Sequence, residues 1–256
     1  MQLLGLDSPT LIWIALASLL AFFVRGLSGF GSSMIGIGAL SMVMPPRLVV
    51  PAFMALELLT SVTLLPGIWR QVEWKSLRWV MVGCALTTPL GLLLLAGLDP
   101  NPMRLVVSVC LLSIALFMLS GAAERLAPQQ VPGPVGALSA GAASGVLSGA
   151  AGIGGPPAIV FYFSTVQASV GRATMITYLV FTDIYALAWA AGTGVLSLDG
   201  WPLIVVALPF ALLGIALGKR LYARLNEQRL RRVIWALLVA LGLLGTLAAS
   251  WRLLRA

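Results

Sequence analysis

Apolar residues come in long runs along this chain, neither alternating as in a half-buried strand nor confined to one stripe as in a soluble amphipathic helix. Residues 11–24 and 90–98 are two such runs, and Gly, Pro and a few charges punctuate the sequence between them. Runs of this kind belong to helices that are apolar all round, as in a membrane interior. The punctuation predicts ten membrane-entering segments, at residues 10–24, 32–44, 48–66, 77–97, 103–121, 134–150, 156–166, 173–192, 201–218 and 232–250. A helix needs about 20 residues to cross the hydrocarbon core. The segments at 32–44 and 156–166 are too short for that, so each is expected to enter and stop.

Composition fixes the solvent. Of 256 residues, 60% are hydrophobic and 9% charged, with a mean hydropathy of +1.02, whereas a soluble domain carries roughly 25% charged residues. The chain is therefore expected to be an all-α membrane protein with the lipid bilayer as its surroundings. The first nine residues hold no Lys or Arg and lead into further membrane segments, so the first segment is expected to remain as a span rather than act as a cleaved signal. There is no histidine, which excludes Ser-His nucleophiles, His-ligated haem and the HExxH zinc site. Cys84 and Cys110 both lie inside apolar runs and read as packing residues. No metal site, cofactor or catalytic residue is expected. The net charge of +8 is scattered over short loops, which suits orientation in a membrane and not nucleic-acid binding.

Two stretches carry the organisation. "GLSGFGSS" at residues 26–33 precedes one short segment, and "GAAGIGGP" at 149–156 precedes the other, so that Gly26, Gly29 and Gly31 fall on Gly149, Gly152 and Gly154 at an offset of 123. An acid interrupts an apolar run in each half, Glu57 in "ALELLTS" and Asp183 in "VFTDIYA", and Trp74 and Trp201 open the following long segments. "AAERLAPQQVPGP", residues 122–134, is loop chemistry and divides the chain into a first repeat (1–124), a linker (125–133) and a second repeat (134–256). Five segments per half is an odd number, so the second copy is expected upside down relative to the first, giving two inverted repeats. Assigning loops alternately to the two sides collects eleven Lys and Arg on one and four on the other. An eight-crossing alternative separates them less well, nine against six. The ten-segment topology puts both termini on the side poor in positive charge, away from the cytoplasm.

A glycine-rich break at membrane depth persists only where it is buried in protein or lines a cavity. The segments around each break are expected to form re-entrant hairpins that dip in from opposite faces and meet at their apices. Each apex feeds a helix N-terminus, where free N–H groups and the helix dipole favour an anion. Ser32 and Ser33 offer capping hydroxyls, and Pro156 and Pro157 suit a first helical turn. The candidate binding set is Arg25, Gly29, Gly31, Ser32, Ser33, Gly152, Gly154, Gly155 and Pro156. Arg25 has two readings: an anion partner if the apex is deep, or a side chain reaching for the interface if it is shallow. Glu57 and Asp183 are candidates for proton coupling, or else for pairing with a buried base or interior hydrogen bonding. Gly141, Gly145 and Gly149 carry small-xxx-small spacing and read as helix packing, as do Gly36 and Gly38.

The duplicated motif, "GFGSS" and "GIGGPP" before half-length segments in a chain of this size split by a polar linker, resembles the TauE/SafE sulfite exporter family, also called the toluene sulfonate uptake permease family. The resemblance covers essentially the whole chain. It implies a multi-pass transporter of the bacterial inner membrane, with a sulfur oxyanion or small organosulfur anion such as sulfite, a sulfonate or sulfoacetate as substrate and often with protons as coupling partner. The first copy has Ser32 and Ser33 where the family more often has glycine, which bears on which anion fits. The reading from another class is an intramembrane enzyme or assembly factor whose glycines only pack helices.

Overall fold

The computed structural model describes residues 7–61, 63–97, 116, 133–151, 155–192, 198–224, 226 and 243. Among them are eight α-helices and no strand: α1 (Ser8–Ser28), α2 (Ser32–Leu40), α3 (Pro46–Ser61), α4 (Trp74–Gly97), α5 (Pro134–Ala151), α6 (Gly155–Thr165), α7 (Ala168–Gly192) and α8 (Trp201–Tyr222). Each matches one of the expected segments to within a few residues at most ends. The expected segments at 103–121 and 232–250, Cys110 and nearly all of the linker lie outside the described residues.

Four helices, α1, α4, α7 and α8, are long and apolar enough to cross a membrane. Their outward faces carry Leu16, Leu86, Leu93, Val205 and Leu213, all exposed. An apolar exterior on this scale is what lipid requires and water does not tolerate. At 9 and 11 residues, α2 and α6 rise only about 14 and 17 Å, half a bilayer core. Segment 1 differs from expectation: α1 is 21 residues long, enough for a full crossing, because its helix runs on through Arg25, Gly26 and Leu27 to the break at Gly29.

The break is built by two left-handed glycines, Gly29 at φ 86° and Gly31 at φ 92°, a region that costs other residues about 1–2 kcal/mol. Gly29 ends α1, its N–H donating to Arg25 O at 2.7 Å, and Gly31 precedes the first turn of α2. Ser28 Oγ lies 2.8 Å from Val24 O and 2.7 Å from Phe30 O, so the loosened backbone finds a polar partner inside the protein. From here α2 folds back along α1, where Trp13 Nε1 donates to Ala39 O at 3.0 Å. In the same way α6 returns along α5, with Ala158 N–H donating to Ser144 Oγ at 3.1 Å.

The two most extensive helix contacts are α4 with α5 and α1 with α8, and glycine makes both. On α5, Gly141, Gly145 and Gly149 lie against Val80, Cys84 and Thr88 of α4, while Gly214 and Gly218 of α8 lie against Leu19, Phe23 and Leu27 of α1. Numbers rise together in both pairs, so each pair is parallel. Without a hydrophobic drive between helices in lipid, such close backbone approach supplies the dispersion contacts that hold them.

Contacts recur between the halves. Gly91 is closed in by Val146, Gly149 and Ala150, and Gly218 by Phe23, Gly26 and Leu27; the partners differ by the 123-residue offset. Thr87 donates to Ala142 O at 2.7 Å, and Gly214 rests on Leu19 O. Glu73 N–H donates to Thr174 Oγ1 at 2.9 Å, and Gly200 sits against Leu48 O. At the level of whole elements, α3 meets α8 as α7 meets α4, and α3 and α7 meet each other. Arg172, two residues before Thr174 on α7, stacks over Tyr222 at 4.3 Å, so the end of α8 and the start of α4 meet the same turn of α7.

Candidate functional site

Arg25 sits in the last turn of α1 and is wholly enclosed, with an exposure of 0% against 1% for its partner Glu57 on α3. Their ion pair spans 3.0 Å from Nη1 to Oε1. Nη1 also donates to Ser32 Oγ at 3.2 Å, and Nη2 to Ser61 Oγ at 2.7 Å. Ser32 in turn hydrogen-bonds the same Glu57 oxygen, while Ser61 Oγ donates to Glu57 O at 2.6 Å. Three helices, α1, α2 and α3, thus converge on one guanidinium. A buried charge is tolerable only when paired and hydrogen-bonded, and the helix break is what brings Ser32, at the start of α2, into reach.

The capping expectation needs correction. Gly31 occupies the N-cap of α2 and no side chain caps it. Ser32 stands inside the first turn with its hydroxyl committed to Arg25 and Glu57, and Ser33 follows it, buried. The N–H groups of that first turn are therefore not capped by a serine side chain.

In the second half, α6 begins at Gly155, with Pro156 and Pro157 in its first turn as expected. A Cβ on buried Gly155 would stand 3.6 Å from Met34 Cε of α2, so the two half-helix starts are neighbours. Gly152 and Gly154 lie outside the described residues, as does the loop joining α5 to α6. Asp183 is buried on α7 and within electrostatic reach of Glu57 and Arg25. Its Oδ2 has no hydrogen-bond partner among the described residues, and neither has Arg25 Nε. Glu57 has Arg25 as its ion-pair partner, whereas the residue 123 positions on from Arg25 is the uncharged Ser148.

Arg172, directly before the segment expected at 173–192, lies outside the candidate set drawn from the sequence. It donates from Nη2 to Gly26 O at 3.0 Å near the C-terminal end of α1, covers Tyr222, and its Cγ would stand 2.8 Å from a Cβ on Gly29. It thereby satisfies a helix-end carbonyl and closes the first break from the side of α7. Its place directly before an apolar run was the one available signal. Among the described residues no three His, Cys, Asp or Glu side chains converge to hold a metal.

These features define a multi-pass helical membrane protein with broken helices gathered around a buried ionic cluster. The family described as "Sulfite exporter TauE/SafE" matches residues 14–244, and the chain belongs to that family of membrane transporters. It is 26% identical over 226 residues, 86% of this chain and 87% of the relative, to a protein of Cupriavidus necator named "Probable sulfite/organosulfonate exporter TauE". It is 27% identical over 180 residues, 68% of this chain and 73% of the relative, to a "Probable inner membrane transporter protein TsaS" of Comamonas testosteroni. Both names are those of transporters and not enzymes. No solved structure matches the chain at a significant level.

Proposed function

We propose that this protein carries a small sulfur-containing anion, a sulfite, sulfonate or sulfoacetate-like species, across a bacterial inner membrane, by alternating access around the two helix breaks. The observation that carries the reading is Arg25. A guanidinium with 0% exposure stands at the start of α2, whose N-terminal turn adjoins that of α6, and one of its nitrogens has no partner among the described residues. Sulfonate and sulfite oxygens accept hydrogen bonds from guanidinium and backbone N–H alike. The site comprises Arg25, Gly29, Gly31, Ser32 and Ser33 from the first break with Gly152, Gly154, Gly155 and Pro156 from the second. The glycines let the anion approach the backbone.

The recurrence of contacts between halves supports an inverted repeat. Exchanging Gly91 with Gly218, and their partners with residues 123 positions away, reproduces the same packing. The end of α8 beside the start of α4 favours a two-fold axis in the membrane plane. Rocking one repeat against the other would expose the site to each side in turn, and Glu57 and Asp183 supply proton linkage. The test is counterflow in liposomes preloaded with unlabelled sulfite or methanesulfonate. Transient accumulation of the labelled, chemically unchanged anion is expected, and its absence across both anions contradicts the proposal.

A further inference from the structure

Arg25 is already occupied by the protein's own groups: Glu57 and Ser32 take Nη1, and Ser61 takes Nη2. An arriving anion therefore meets a guanidinium that holds a carboxylate in the anion's place. Within electrostatic reach of that pair lies a second carboxyl, Asp183, buried on α7 and with Oδ2 free of any partner among the described residues. Resting on the reading of Arg25 as the anion site, we infer that Glu57 is a tethered competitor for the guanidinium, that a substrate anion binds by displacing it, and that each displacement brings one proton onto the Glu57–Asp183 carboxyl pair.

The charge balance is simple. In an interior of low dielectric one guanidinium compensates one carboxylate, and the other carboxyl keeps its proton. When a monovalent anion takes the guanidinium, Glu57 loses its counter-charge, with Asp183 within electrostatic reach. With one counter-charge taken away, two carboxylates within electrostatic reach of each other in such surroundings do not both stay ionised. One proton from the aqueous side then ends on a Glu57 carboxyl oxygen, and the loaded cluster is neutral again. Among the described residues the elements around Glu57 bring few charges: α1 brings Arg25, α2 the hydroxyls of Ser32 and Ser33, and α7 Asp183 together with Arg172, whose guanidinium is turned to Gly26 O at 3.0 Å, while the Lys219 ammonium of α8 is turned to Thr63 O at 2.8 Å. One anion and one proton would thus move together.

Titration calorimetry of the full-length protein in detergent, with methanesulfonate and isethionate as probes, tests the inference. Both remain monovalent between about pH 5.5 and 7.5, so any proton uptake belongs to the protein. Repeating the titration in buffers of different ionisation heat counts the protons. The wild type is expected to take up about one proton per anion, with affinity falling about tenfold per pH unit as pH rises. The double variant Glu57→Gln with Asp183→Asn, which leaves no carboxyl in the cluster to receive a proton, is expected to bind with no uptake and with affinity flat in pH. Binding to wild type without proton uptake overturns the inference and leaves the anion site standing, as does a Glu57→Gln/Asp183→Asn variant that keeps the wild-type slope. Failure of both probes to bind wild type overturns the anion reading itself, and this inference with it. The wild-type proton count decides the matter even if the variant does not fold.

Discussion

Arg25 and Glu57 meet at 3.0 Å although they stand 32 positions apart in the chain with a helix break between them, and both side chains are buried. Such a pair holds little net stability, yet removing one partner strands the other charge at a cost of about 3–5 kcal/mol. Arg25→Leu and Glu57→Leu are each expected to lower the thermal unfolding midpoint in detergent sharply, and the double variant to recover most of the loss. Additive losses in the double variant would show that the two side chains do not act as a pair.

The glycine seams give a second prediction. Gly91 and Gly218 are both closed by backbone of the facing helix, while Gly38 has nothing within 4 Å of where its Cβ would be. Gly91→Leu and Gly218→Leu are each expected to destabilise by about 1–3 kcal/mol or more through overpacking, and by similar amounts since the environments match. Gly38→Leu should be close to neutral. Thermal unfolding of the three variants checks this ordering.

At the first break, Gly29→Ala and Gly31→Ala should each cost about 1–2 kcal/mol, because both positions are left-handed. Gly29→Ala is expected to be the worse, since its new methyl meets Arg172 Cγ, whereas the closest atom to one at Gly31 is Val24 Cγ1 at 3.4 Å. Both variants should lose anion affinity beyond what their stability loss explains. Calorimetry on the folded fraction separates the two effects.

Topology is open to chemical labelling. The ten-segment arrangement puts Arg125 and Lys219 on the same, positively charged side. Cysteines placed at these two positions should react with a membrane-impermeant maleimide from the same face. Reaction from opposite faces would require a different number of crossings.

Much of the fold was legible because the bilayer imposes long apolar runs and permits breaks only at defined places; Trp74 and Trp201 do open α4 and α8. The glycines at 141, 145 and 149 were legible as packing for the same reason, since nothing else fits a seam this tight, though Gly36 meets Phe53 as that reading asks and Gly38 meets nothing. The site was less legible. Arg25, Glu57 and Asp183 were each conspicuous as charges in apolar surroundings, but their grouping depends on how α3 and α7 cross behind the break, which local sequence does not encode. Serine beside a helix start reads as a cap by propensity; here the left-handed Gly31 takes the cap position, and the ion pair claims the Ser32 hydroxyl. Arg172 lay at a segment boundary, where a basic residue ordinarily only marks the cytoplasmic face.

The central claim is that Arg25 holds the transported anion. Counterflow of labelled methanesulfonate or sulfite by Arg25→Gln, reconstituted beside the wild type at matched amounts of folded protein, tests it most directly. Loss of a charge-assisted hydrogen bond should weaken the half-saturating concentration by about 1.5–3 kcal/mol, roughly 10- to 150-fold, with transport restored toward wild type only at high anion concentration. An Arg25→Gln protein that accumulates the anion with wild-type half-saturation would contradict the account.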